Sequence, residues 1–314
     1  MMDTHGMPGL QSPPASPPAS PLAAASPPPP SLAPASLDAL LPDAIAVAAE
    51  NLGVKKAGYD TATLFALAIL AGAFIALGGL FATVVMSGAE GMMPYGVTRL
   101  LGGLVFSLGL ILVLVGGAQL FTGDTLMVMA WASGRLKTRT MLKVWTIVWL
   151  GNFVGAAGTA LLVFLSGQYT FGHGAVGASA LYFATAKAGL PTDQAFFLGI
   201  LCNVLVCLAV WLALGARSVT DKILAVTFPV AAFVAAGFEH CVANMYFVPL
   251  GLLIEHGAPA SFWADLGRSA PTIPAGHFVV NLAAVTLGNW VGGALLVGGV
   301  YWFIYRRPSR RKPH

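Results

Sequence analysis

Charge is what this chain has least of. Only 9% of its 314 residues are charged, against about 25% in an ordinary soluble domain. So little polar surface excludes a water-facing globular fold of this size. A hydrophobic content of 57% equally excludes a disordered chain. No basic stripe carries interleaved aromatics, so nucleic acid is not an expected partner. Cysteine is scarce: Cys202, Cys207 and Cys241 all lie in apolar stretches, form no disulfide framework, and read as small packing residues. Metal-ligand spacing is missing too. His240 and Cys241 are sequence neighbours that diverge on a helix, and no second histidine lies near. No metal, haem or other cofactor is expected, and with no cofactor constellation a membrane enzyme is not expected either. The N-terminus lacks the basic and continuous apolar regions of a secretory signal.

What remains is a polytopic membrane protein. Residues 1–36 hold eleven of the 21 prolines amid Ala and Ser; such a tail cannot bury a core and is expected to be disordered. Residues 37–57 have short apolar runs broken by Asp38, Asp43 and Glu50, and read as an amphipathic helix at the membrane interface. Residues 58–305 form the expected transmembrane domain, and 306–314 a basic tail.

Four apolar stretches, Thr61–Met86, Leu142–Ser166, Phe196–Leu214 and Val279–Tyr305, each suit one crossing. Two others are too long. Leu100–Ser133 and Ile223–Ile254 would make straight helices of about 50 Å, against a hydrocarbon core of about 30 Å. Both carry polar residues within: Gln119, Thr122 and Asp124 in one, Glu239, His240 and Asn244 in the other. Each reads as one crossing made of two half-helices. Six crossings put both termini on one side. Thirteen of the 16 basic residues share that side, leaving Arg99, Lys187 and Arg268 opposite, so the termini are expected to be cytoplasmic.

A repeat supports this count. Leu150-Gly151-Asn152-Phe153-Val154-Gly155 recurs as Leu287-Gly288-Asn289-Trp290-Val291-Gly292. Three crossings per repeat is an odd number, so the two repeats are inverted in the membrane. Non-helical backbone at membrane depth is tolerated only inside protein or along a polar cavity, so two breaks imply a pathway. Ordinary glycine kinks are the alternative, and they explain one break more easily than two.

His240 is the lone histidine within a crossing, a functional candidate by default; the alternative is a neutral ring bonded to helix backbone. Glu239 beside it needs backbone amides or a basic partner. Phe106, Leu110, Leu120, Phe121, Val206 and Phe233 are candidates for a hydrophobic constriction, or are plain core. Lys56 and Lys187 flank the two mouths, where basic groups attract anions, or are simply solvated.

The strings Gly117-Ala118-Gln119-Leu120-Phe121-Thr122-Gly123, Gly237-Phe238-Glu239-His240-Cys241-Val242-Ala243-Asn244-Met245 and Gly288-Asn289-Trp290-Val291-Gly292-Gly293 resemble the formate/nitrite transporter family, and within it the bacterial formate-channel branch. The resemblance runs from about Leu40 to Tyr305. It implies an all-α, aquaporin-like protomer with broken second and fifth helices, assembled as a homopentamer in a bacterial inner membrane, each protomer with its own pore. It implies a central pore histidine at His240 with Thr122 near it, and a loop formed by Leu120-Phe121-Thr122. Phe106, Leu110, Phe121 and Phe233 would match the constrictions, and Lys56, Lys187, Asn203 and Glu239 the polar network. The chain departs from the resemblance at Gln119, where the enteric formate channel has an acidic residue, at Gly123-Asp124, which varies among family branches, and in its Pro-rich extension.

The implied cargo is formate, with nitrite or hydrosulfide as alternatives and protons as partners. All are anions of weak acids. A water or neutral-solute channel also fits inverted broken helices, but no Asn-Pro-Ala occurs in the chain.

Overall fold

The computed structural model describes residues 1–2, 38–267 and 269–307. The expectations for the Pro-rich tail, for Arg268 and for residues 308–314 lie outside the described residues. The described part is all-helical. Five helical stretches in it are long and apolar enough to cross a membrane: Thr61–Met86, Tyr95–Gly116, Thr138–Leu165, Thr192–Gly215 and Ala275–Tyr305.

Helix α1 (Pro42–Ala57) opens on a proline, tolerated in a first turn because that N–H has no helical partner anyway. It begins later than the 37–57 span expected. Its buried face holds Ile45, Ala46, Ala49 and Gly53, and also Glu50, which the sequence had suggested as a polar interruption. Helices α2 (Thr61–Met86) and α3 (Tyr95–Gly116) follow. After a break come two short pieces, α4 (Phe121–Asp124) and α5 (Val128–Ala132), and then α6 (Thr138–Leu165). A helix absent from the sequence reading, α7 (Ala175–Ala188), precedes α8 (Thr192–Gly215). A second broken pair is α9 (Val219–Ala235) and α10 (Cys241–Gly257). The short α11 (Ala260–Leu266) leads to α12 (Ala275–Trp290), which passes through π-helical turns at Val291–Gly299 into α13 (Val300–Tyr305). Several helices start a turn before their apolar run, because Thr, Arg or Asp in a first turn extends a helix without adding hydropathy.

The first break divides its run unevenly. Helix α3 is 22 residues, enough to span alone, and the piece after its break is short. The second break divides its run evenly, with 17 residues on each side.

Both breaks use the same construction. Gly117 and Gly237 sit at φ 83° and 75°, in the left-handed region where glycine carries no Cβ penalty. The freed backbone is then bonded by one asparagine per repeat. Asn152 on α6 accepts from the Phe121 N–H at 2.9 Å and donates to the Ala68 and Gln119 carbonyls at 2.8 and 2.9 Å. Asn289 on α12 accepts from the Cys241 N–H at 2.9 Å and donates to the Gly199 and Glu239 carbonyls at 2.7 and 2.9 Å. Gln119 and Glu239 also donate their own N–H groups to the preceding long helices, at Leu67 and Leu198. These are the two asparagines of the repeated hexapeptide. Its last glycines permit the contact: a Cβ on Gly155 would lie 2.0 Å from the Ile69 carbonyl oxygen, and one on Gly292 2.2 Å from that of Ile200.

Helix α1 is strapped over the first broken segment. The Glu50 carboxylate, wholly buried, accepts from Ser133, from Arg135 at 3.3 Å and from Arg306 at 2.9 and 3.2 Å. Trp302 Nε1 donates to Ser133 Oγ at 2.9 Å. One carboxylate thereby joins α1, the turn after α5 and the end of α13. Burial pushes the Glu50 carboxyl up, but the hydrogen bonds from Arg306 and Ser133, the Arg306 charge and the hydrogen bond from Arg135 outweigh it and leave it below its ordinary 4.5.

Two outcomes follow. Asn152→Leu or Asn289→Leu strips three bonds from a buried break, at about 1–3 kcal/mol for each orphaned group, and is expected to lower the melting temperature of purified protein sharply; an unchanged transition would refute the bracing role. Glu50→Gln loses the charge that holds two arginines, at about 2 kcal/mol after allowing for their partial exposure. Because the folded-state value is lowered, Glu50 contributes its full stability above pH 4.5 and loses it as pH falls below that. The melting difference between wild type and Glu50→Gln is therefore expected to shrink in acid; a constant difference would contradict the ion-pair origin.

Candidate functional site

The second break ends at His240, which caps α10: its Nδ1 accepts the Ala243 N–H at 3.2 Å. A ring nitrogen that accepts carries no proton, so the neutral ring bears its proton on Nε2. Nε2 lies 3.1 Å from Thr122 Oγ1 and donates to it. The site is therefore made where the two broken segments meet. Asn203 on α8 holds them together. Its amide donates to the Thr122 carbonyl at 3.2 Å, to Thr125 Oγ1 at 3.2 Å and to the Asn289 carbonyl at 2.6 Å. Cys207, one turn further, donates to the Thr122 carbonyl at 3.4 Å. Thr122, Asn203 and His240 are all buried.

Aromatic rings cover the histidine. Phe233 stacks on it at 6.0 Å between centroids, and Phe106 meets Phe233 edge-on at 5.8 Å. These three residues line one part of a cavity of ≈ 250 Å³, shared with Arg99, Lys187 and Glu239. Leu110, Leu120, Phe121 and Val206 are buried in the same core and do not line that cavity. A second void, of ≈ 10 Å³, adjoins Lys56, Gly123 and Asp124; it has room for about one water.

Lys56 and Lys187 each have a carboxylate partner, and the basic partner of Glu239 is Lys187. Lys187 Nζ is paired with Glu239 Oε1 at 2.8 Å, and Glu239 Oε2 accepts from Asn244 Nδ2 at 2.6 Å. Asn244 also donates to Asn281 at 2.9 Å. Lys56 is paired with Asp124. Each lysine is neutralised by a buried carboxylate, because an unpaired charge at that depth costs far more than a matched pair. The two pairs carry an exchange. Gln119 and Asp124 stand five residues apart around the first break, as Glu239 and Asn244 do around the second. Acid and amide have changed places, and in each case the lysine follows the acid.

Asp124 and Asn281 were missed as site residues. The signal for Asp124 was present: an acid inside an apolar run needs a cation. Nothing in the sequence pairs it with Lys56, 68 positions away. Asn281 lies on α12, eight residues before Asn289, and reaches the site through Asn244. Among the described residues no cluster of three His, Cys, Asp or Glu could hold a metal ion.

A family model described as formate/nitrite transporter matches residues 43–303. The chain is 46% identical over 277 residues to "Formate channel FocA" of Escherichia coli (strain K12), covering 87% of this chain and 96% of that one. It is 43% identical over 254 residues to "Formate channel FocA" of Haemophilus influenzae, covering 80% and 89%. It is 32% identical over 276 residues to "Formate channel BtFdhC" of Bacillus thuringiensis, covering 85% and 96%. A solved structure described as "Pentameric formate channel with formate bound" superposes with a TM-score of 0.74 at 45% identity, covering 78% of this chain and 97% of that chain.

The Lys187–Glu239 pair makes its own test. Lys187→Met leaves a nearly buried carboxylate with only Asn244, at about 3 kcal/mol. The double variant Lys187→Met/Glu239→Gln removes the stranded charge and is expected to recover most of the loss in thermal unfolding. Equal stability of the single variant and wild type would show that the pair is not coupled.

Proposed function

The chain belongs to the formate/nitrite transporter family, and from that premise we propose that it conducts formate across the membrane through a pore in each protomer of a homopentamer, His240 being the group at which the anion is protonated. Relatives named as formate channels, with near-complete mutual coverage, favour formate over nitrite or hydrosulfide. The observation that carries the pore reading is the meeting of both broken segments at one bonded pair, Thr122 and His240. In the proposed arrangement the protomer has six crossings in two inverted repeats, the second and fifth being broken. The matching asparagine braces support it, and the distribution of Lys and Arg favours cytoplasmic termini in an inner membrane.

The chemistry follows from charge and solvation. A bare carboxylate crossing an apolar constriction costs nominally tens of kcal/mol. Protonating an acid of pKa about 4 at neutral pH costs about 4 kcal/mol. The neutral acid is therefore the cheaper species past Phe106 and Phe233. Thr122 accepts from His240 Nε2, which leaves its own hydroxyl hydrogen free to donate to a carboxylate oxygen. His240 Nε2–H is the proton nearest that position. A neutral ring cannot part with that proton, so transfer runs through the imidazolium: Nδ1 takes up a proton in place of the Ala243 N–H bond, Nε2 passes its proton to the carboxylate, and the ring is left neutral. With Nδ1 tied to the Ala243 N–H, an imidazolium would have to give up its cap; this disfavours long-lived charging of the ring and suits brief proton sharing.

The test is formate flux into proteoliposomes, beside nitrite and hydrosulfide, with and without a pH gradient. Wild type is expected to carry formate rapidly, with stimulation by inward protons. His240→Ala is expected to lose that proton dependence while eluting as an intact oligomer. Negligible formate flux beside fast nitrite or hydrosulfide flux would overturn the substrate, and a wild-type pH profile in His240→Ala would overturn the proton role.

A further inference from the structure

We propose that Arg99 is the anion-capture group of the cavity outside the Phe106–Phe233 pair, and that its ligand is a small monovalent carboxylate or similar oxyanion about to meet His240. The inference rests on the transport reading above and adds the residue that recruits the cargo.

Three side chains lining this cavity carry a full charge: Arg99, Lys187 and Glu239. Lys187 and Glu239 cancel, being paired at 2.8 Å, and Glu239 is further held by Asn244. The positive charge left over belongs to Arg99. A guanidinium has five N–H donors in a planar fork. One of them, on Nη2, donates to the Val234 carbonyl at 2.5 Å. Nε is buried and has no hydrogen-bond partner among the described residues. The arrangement has a cause. Val234 lies in the last turn of α9, at the negative end of the helix dipole, and its carbonyl accepts the Gly237 N–H at 3.1 Å as well as the arginine. That end anchors the arginine beside Gly237, at the start of the break that leads to His240. The terminal N–H groups not used on Val234 offer a carboxylate oxygen a charged donor. The volume of ≈ 250 Å³ also admits the anion with part of its hydration, since a water occupies about 30 Å³. From sequence, Arg99 is only one of the few basic residues on the sparsely charged side.

The experiment must separate capture from the tie to Val234. Arg99→Gln keeps a donor for the carbonyl and removes the charge; Arg99→Lys keeps the charge and loses the fork. Formate flux is measured in proteoliposomes against formate concentration, at two ionic strengths. For Arg99→Gln the half-saturating concentration is expected to rise about tenfold, the loss of one charged hydrogen-bonded contact, with maximal flux within about twofold of wild type. Wild-type half-saturation is expected to rise with salt and that of Arg99→Gln to stay flat, because only the former depends on a screened charge. Arg99→Lys is expected to fall between them. Unchanged half-saturation in Arg99→Gln overturns the proposal. So does an equal fall of maximal flux in both variants, which would assign Arg99 to the Val234 tie alone. If wild type carries nitrite and not formate, the substrate reading fails, and the same titration with nitrite still decides Arg99. If neither anion crosses, calorimetric titration of the purified oligomer with formate decides: binding in wild type lost in Arg99→Gln supports capture, and no binding in wild type overturns it.

Discussion

Everything in this structure depends on how two stretches of non-helical backbone are satisfied inside an apolar protein. An unpaired peptide group there costs several kcal/mol, so the breaks exist only because Asn152 and Asn289 each supply one acceptor and two donations at the right places. An asparagine suits this task because its short amide offers both functions from one rigid plane. The glycines beside them let the helices carrying those asparagines approach their neighbours to backbone contact. Replacing packing by side-chain bonding at these two points is what allows a histidine and a threonine to face each other within a membrane protein.

The second constraint is charge. Each carboxylate near the breaks is matched: Glu239 by Lys187, Asp124 by Lys56, Glu50 by two arginines. These pairs fasten elements distant in sequence, and two of them fasten α1 to the first broken segment and its continuation. A helix that a hydropathy scan treats as peripheral is therefore part of the frame around Thr122. Neutralising the lysines also changes the electrostatics of the route. The net positive charge in the cavity rests on Arg99, beside Gly237 at the start of the second break, and not on Lys187.

Much of this was legible in the sequence. Low charge and long apolar runs required membrane helices, and the bounds of α2 follow directly from composition. Excess length and interior polar residues located both broken segments, and the repeated Leu-Gly-Asn located the braces without revealing what they brace. The resemblance named His240 and Thr122, and the structure brings them to 3.1 Å. Other features were not legible. Helix α7 and the late start of α1 leave no sharp hydropathy signal. The partner of Asp124 lies on a separate helix, and the burial of Glu50 contradicts its appearance as a polar interruption.

What the sequence alone determined is the class of solvent this chain lives in, the presence of two breaks and the chemical types gathered at them, because hydropathy and residue spacing are local properties that survive without a fold. What only the tertiary structure decided is pairing. Whether a lysine is a free charge or half of a neutral pair, whether a glutamate faces water or two arginines, and which arginine keeps its charge uncancelled are all set by contacts between residues far apart in the chain. No local pattern encodes those distances, and in a medium that punishes every unpaired charge it is the distances that settle which groups are left to meet an anion.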